Sequence, residues 1–130
     1  HFITQPCFGL VELVEHGDLD SPALIALLKK YIDPLLKEKI DTLVLGCTHY
    51  SFLKPAIQTL IPDHIKIVDT GNAVANYLQH VLVEKDLLNQ NIASGTTNFW
   101  TNSLDKNADK VMADLWGENQ ESYNYRGLWD

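Results

Sequence analysis

Apolar and polar positions along this chain follow more than one period, and the elements change where the period changes. Leu24, Leu28, Tyr31 and Leu35, flanked by Ile25, Ile32 and Leu36, recur at helical spacing, which predicts an amphipathic helix to about Lys37. Ser21-Pro22 is its start, a capping hydroxyl followed by a proline whose missing N–H costs nothing in the first turn. Pro34 is expected to kink or fray the last turn. Residues 42–45, Thr-Leu-Val-Leu, then run apolar or β-branched without polar alternation, the pattern of a central parallel strand covered on both faces. A second helix is expected from Ser51 or Phe52 through Leu60, ended by Pro62. A second buried strand follows over residues 65–68, with Asp69-Thr-Gly71 as its exit turn. Asn72 is placed to cap a third helix whose apolar face carries Val74, Tyr77, Leu78, Val81 and Leu82.

The flanks read less regularly. Residues 1–4 suggest the tail of a strand, and Gln5-Pro6-Cys7 a turn out of it. Residues 11–15 suggest a short helical turn stopped by Gly17, and residues 18–21 a polar loop. Beyond residue 84 the chain turns polar, and residues 89–95 look like a linker. Residues 97–101 suggest one more strand. Residues 104–116 suggest a helix with Ala108, Val111, Met112 and Leu115 on one face and Gly117 past its end. Residues 118–130 hold aromatics among polar groups and are expected to be disordered. No repeat is present. The order strand, helix, strand, helix over residues 41–83 implies an α/β fold with a parallel sheet and right-handed crossovers.

Composition narrows the function classes. With 130 residues and 45% hydrophobic content, the chain is long enough for one globular domain with a real core. No signal-like segment is evident, and no apolar run approaches the roughly 20 residues that span a bilayer, so a soluble chain with no membrane partner is expected. Ten Lys plus Arg against seventeen Asp plus Glu leave a net charge of −7 and no basic stripe, which argues against nucleic acid. An anionic substrate would have to be held by local backbone N–H groups. Two cysteines without a secretory segment suggest free thiols in a reducing cytosol. The first residue is His1 rather than Met, and a fragment is expected.

The chemistry concentrates where the first strand ends. Gly46 is expected to let the backbone turn sharply, leaving Cys47, Thr48 and His49 past the carboxyl end of the strand, the edge where open α/β sheets bind ligands. A cysteine is by type more often a small buried hydrophobe. The strand-exit position, the polar residues after it and the helix expected to follow favour a reactive thiol instead, because unpaired N–H groups and the helix dipole stabilise a thiolate. His49 stands close enough to exchange a proton with a group that Cys47 also touches. Thr48 offers a hydroxyl and a backbone N–H to a carboxylate, or caps the next helix. Glu15, ending an apolar turn just before Gly17, either orients or raises the pKa of an acid-base partner or, as is commoner for its type, is a solvated charge. Cys7 reads as structural, and Asp69 as a local acceptor in its turn. Cys-x-His is also half of a zinc site, but neither Cys7 nor His64 stands at ligand spacing, so no metal is expected.

These residues carry a resemblance. Leu43-Val-Leu-Gly-Cys-Thr-His-Tyr50 resembles the most characteristic motif of the glutamate racemases, in the aspartate/glutamate racemase superfamily, and its spacing from Glu15 fits that family's Cys-Pro…Val-Glu-Glu-Gly segment without a gap. Val68-Asp-Thr-Gly71 resembles the next block. The likeness covers most of residues 7–82, with a weaker echo in residues 98–117, and matches the family's carboxyl-terminal half. It implies an incomplete three-layer α/β/α domain of the aspartate/glutamate racemase type. Residues 1–78 would belong to the second, catalytic domain, residues 79–117 would cross back to pack on a missing amino-terminal domain, and residues 118–130 would be a tail. It implies interconversion of L- and D-glutamate without a cofactor, supplying D-glutamate for bacterial peptidoglycan in the cytoplasm. Two cysteines on opposite faces of the substrate would do it, one removing the α-proton as thiolate while the other delivers a proton as thiol. Cys47 matches one of them, His49 the residue assisting it, Thr48 a substrate-carboxylate contact, and Glu15 an acidic residue tied to the machinery. The resemblance also admits a homodimer.

The departures are Phe8 where the family has Pro, His16 where it has the second Glu, and Ser51 where Pro is usual. In the family the first catalytic cysteine lies in the amino-terminal half, which the resemblance implies is missing, and Cys7 matches a different position. The expectation is therefore a fragment inactive alone. An aspartate-type racemase, a cysteine hydrolase with Cys47 as nucleophile and His49 as base, and a non-catalytic amino-acid-binding α/β module are the rival readings.

Overall fold

The computed structural model describes residues 1–90, 98–101, 107–117 and 122–124, the last three by their backbone. They form two units. One comprises His1–Val14 and Asp18–Gln90; the other joins Glu15–Gly17 to the described residues after Gln90.

Helix α1 (Leu10–Glu15), all but its last residue in the first unit, buries Leu10 and Val14, four residues apart on one face. Gly17 stops it at φ +76°, a left-handed conformation that glycine adopts without strain. The next helix, α2 (Pro22–Lys37), begins as its sequence predicts, with the Ser21 hydroxyl accepting from the Leu24 N–H at 3.1 Å. Its buried stripe is Leu24, Leu28, Tyr31, Ile32 and Leu35, the i, i+4, i+7 pattern of one helical face. Pro34 does not end the helix, which continues through Lys37.

The sheet of this unit is a single parallel pair. Strand β1 (Thr42–Val44) pairs with β2 (Lys66–Val68) in the register Leu43↔Ile67 and Val44↔Val68. Side chains alternate across a strand, and here the alternation separates a packed face from an open one. Leu45 and Ile65 are buried, while Val44 and Val68 are exposed. The expectation of a strand covered on both faces is thus corrected for this chain. The expected strand tail at residues 1–4 is corrected as well, for those residues form no strand and are exposed.

Two helix starts differ from their sequence-based expectation for identifiable reasons. After β1 the chain winds first as a 3-10 turn, Thr48–Leu53, and only then as α3 (Lys54–Gln58). Pro55 lacks the N–H that an α-helix running from Ser51 would need, and fits only in a first turn; α3 accordingly begins one residue before it. The last helix of the unit, α4 (Gly71–Glu84), has Thr70 rather than Asn72 at its cap position. Asp69 satisfies the Gly71 N–H from outside at 3.2 Å, so the helix starts earlier than Asn72 would set it. None of its residues is buried; of its expected apolar face Val74, Tyr77 and Leu78 are exposed, and Val81 and Leu82 are half-buried.

In the second unit, β3 (Phe99–Thr101) pairs in parallel with β4 (Ser122–Asn124), and α5 (Ala108–Trp116) supplies the crossover that parallel strands require. Gly117 ends α5 at φ +80°, as its position predicts. Phe99 meets Trp116 edge to face at 5.2 Å between centroids. Strand β4 corrects the expectation of disorder over residues 118–130 at residues 122–124. Most of the expected linker, residues 91–95, the first residue of the expected strand, 97, and the first residues of the expected helix, 104–106, lie outside the described residues. No described helix is long and apolar enough to cross a membrane.

Candidate functional site

The site begins where β1 stops. Leu45 is buried and still donates its N–H to the Val68 carbonyl at 2.8 Å, so the sheet holds the backbone until one residue before Gly46. Gly46 itself has no positive φ and no atom within 4 Å of where a Cβ would stand. The expected demand for glycine at the turn is therefore not conformational.

Cys47 follows in extended conformation, φ −131° and ψ 139°, at the cap position of the 3-10 turn. Its Sγ lies 3.8 Å from Nδ1 of His49, and both side chains are half-buried. At that separation the pair can share one proton. A thiol S–H donates to an unprotonated Nδ1, and an imidazole N–H donates to a thiolate. Thr48, exposed, is the first residue of the turn, so Cys47 rather than Thr48 holds the cap position.

The turn is tied down behind Cys47. The Tyr50 N–H donates to the Cys47 carbonyl at 3.1 Å, and the Tyr50 hydroxyl donates to the Cys7 carbonyl at 3.1 Å. On the next residue of the same segment, the Phe8 carbonyl accepts from the hydroxyl of Tyr31 in α2 at 2.8 Å. Burial raises the Tyr50 phenol above its ordinary pKa, and the neighbouring Cys7, Cys47, Tyr31 and Glu12 raise it further. The Cys7 thiol donates to the Gln5 carbonyl at 3.2 Å and is pushed up by burial, as befits a structural cysteine.

The second strand delivers a charge to the same edge of the sheet. Asp69, just past β2, receives Lys54 Nζ from the start of α3 at 3.0 Å. That hydrogen bond holds the Asp69 carboxyl below the usual carboxylate range.

No protein-family model matches the chain. Curated sequences do. The chain is 47% identical to a glutamate racemase of Pseudomonas putida over 123 residues, 95% of this chain and 46% of that protein. It is 51% identical to one of Pseudomonas entomophila over 114 residues, 88% of this chain and 43% of that protein. Its homologues are glutamate racemases.

The chain spans somewhat less than half the length of the glutamate racemases it matches. The crystal structure of glutamate racemase from Francisella tularensis in complex with D-glutamate has the same fold over 94% of this chain and 46% of its own, with a TM-score of 0.75 at 24% identity. The α/β class and the incompleteness of the domain follow from that likeness and from the parallel pair β1–β2.

Of the residues through which the chain resembles the glutamate racemases, Cys47, Thr48 and His49 stand on one turn of the first unit. Glu15 is exposed at the end of α1 and groups with the second unit. Among the described residues no cluster of three or more His, Cys, Asp or Glu is placed to hold a metal. The tyrosine ties and the Lys54–Asp69 pair escaped the sequence reading. A signal for one of them was present: Tyr50 stands three residues after Cys47, and three residues is one turn of 3-10 helix.

Proposed function

We propose that this chain is the carboxyl-terminal part of a glutamate racemase, which interconverts L- and D-glutamate by cofactor-independent proton transfer between two cysteines. Cys47 is one of the two, and its counterpart lies on polypeptide not included here. The observation that carries this reading is the Cys47–His49 pair at 3.8 Å, past the carboxyl end of β1, in a sequence 51% identical to a glutamate racemase over 114 residues.

The α-hydrogen of an amino acid is a very weak acid, so removing it without an electron sink needs fixed donors for the substrate carboxylate and a site closed to water. In one direction the Cys47 thiolate takes the α-proton, forming an S–H bond as the C–H electrons pass to the carbanion. The opposite thiol then gives its proton to the other face of the α-carbon and is left as thiolate. In the reverse direction the roles exchange. His49 accepts or returns a proton at Cys47 between turnovers, and Thr48 donates to the substrate carboxylate. Glu15 supports the acid-base machinery. D-glutamate made this way serves peptidoglycan synthesis in the cytoplasm.

Residues 1–78 belong, in this proposal, to the catalytic domain, and residues 79–117 to the segment that packs on the amino-terminal domain. A chain carrying one of two bases does not racemise. Two experiments test the proposal. In the full-length parent, Cys47→Ala should abolish entry of solvent deuterium at the α-position of at least one glutamate enantiomer, and unchanged exchange with both would end it. The 130-residue chain should leave either enantiomer unchanged; measurable racemisation would show that it needs no second half.

A further inference from the structure

We infer that Tyr50 is a positioning residue for the Cys47–His49 pair, holding their turn against the segment at Cys7 by a hydroxyl-to-carbonyl bond. The inference rests on the racemase reading only for the reaction served; the geometry stands without it. Tyr50 lies in the turn that Cys47 caps, three residues on, and Cys47 is near enough to act electrostatically on its phenol. From there its N–H takes the Cys47 carbonyl and its hydroxyl takes the Cys7 carbonyl, both at 3.1 Å.

The far end of this tie is itself anchored. Tyr31, buried in α2, donates to the carbonyl of Phe8 at 2.8 Å, so two phenols from two elements take two successive carbonyls. The Cys47 turn is thereby referenced to the longest of the described helices rather than left at the end of a three-residue strand. Local order matters here because Cys47 and His49 meet at 3.8 Å, near the outer limit for a hydrogen bond to sulfur. A small rotation of the turn would part them. The acidic groups around the Tyr50 hydroxyl are Cys7, Cys47, Tyr31 and Glu12. A protonated phenol is the form that donates among them.

Tyr50→Phe keeps the ring and removes only the donor. In the 130-residue chain the test compares alkylation of Cys47 and Cys7 by iodoacetamide, read peptide by peptide. Loss of one hydrogen bond corresponds to about three- to tenfold in rate, and Tyr50→Phe should raise the Cys47 rate by that factor while leaving Cys7 within about twofold. A role limited to general stability would raise both rates together and lower Tm, and that result, or an unchanged Cys47-to-Cys7 ratio, overturns the inference. In the full-length parent the same variant should lower kcat about tenfold with KM nearly constant, as for a group that acts through the reacting residue. If the thiol ratio shifts while the unsubstituted parent leaves glutamate unchanged, the racemase reading falls and the positioning role stands.

Discussion

Lys54 Nζ and Asp69 Oδ2 lie 3.0 Å apart, joining the first residue of α3 to the turn that leaves β2. The pair joins a helix start to a strand exit at the carboxyl edge of the sheet, next to the turn that carries Cys47. The folded state holds the Asp69 pKa below its unfolded value. Its contribution is therefore present above the unfolded carboxylate pKa of about 4 and is lost as pH falls through the folded value. Lys54→Met should make acid unfolding, followed by circular dichroism, begin at a higher pH. An unchanged acid midpoint would mean that the pair adds nothing to the fold.

Tyr50 sets the opposite limb. Its phenol is raised on folding, chiefly by burial, so its contribution is complete below the unfolded pKa of about 10 and declines as pH rises through the folded value. Tyr50→Phe should flatten the alkaline loss of stability measured by urea unfolding at successive pH values. A curve parallel to that of the unsubstituted chain would argue against the burial assigned to this hydroxyl.

Gly46 has no positive φ, and a methyl group added at its α-carbon would meet nothing within 4 Å. Gly46→Ala should accordingly leave Tm of the 130-residue chain unchanged, or raise it by the equivalent of about 0.4–1 kcal/mol through the unfolded state. A fall in Tm would show that the strand exit needs glycine after all. In the full-length parent, loss of activity with intact stability would assign the open space to the substrate.

Leu53 is fully buried at the end of the Cys47 turn, while Leu78 on α4 is exposed. Leu53→Ala should cost about 2–5 kcal/mol, the range for a fully buried leucine, whereas Leu78→Gln should stay within about 0.5 kcal/mol. Urea unfolding of the two variants measures the contrast. Hydrogen exchange should show the same difference among backbone amides, fast in α4 and slow in α2, because α4 has no buried residue to hold it closed. Protected α4 amides would place that helix in a core.

Much of the fold was written locally. The Ser21-Pro22 start of α2, its buried stripe, the Gly17 and Gly117 stops and the strand-to-turn sequence around Cys47 each depend on residues within one or two turns of each other. Propensity, capping and periodicity act at that range, and so they could be read in order along the chain. Cys47 and His49 were paired in the sequence for the same reason, being two residues apart.

What tertiary structure alone decided is what lies on the other side of each element. The pattern of residues 42–45 says that the strand is apolar on both faces, but Val44 is exposed because coverage depends on which neighbours are present. The carbonyl that Tyr50 would find, forty-three positions away in sequence, and the partner of Asp69 were fixed only when α2, α3 and β2 had packed. Period and propensity act between near neighbours, whereas these contacts close long loops, and the chain specifies them only through the collective burial of its core.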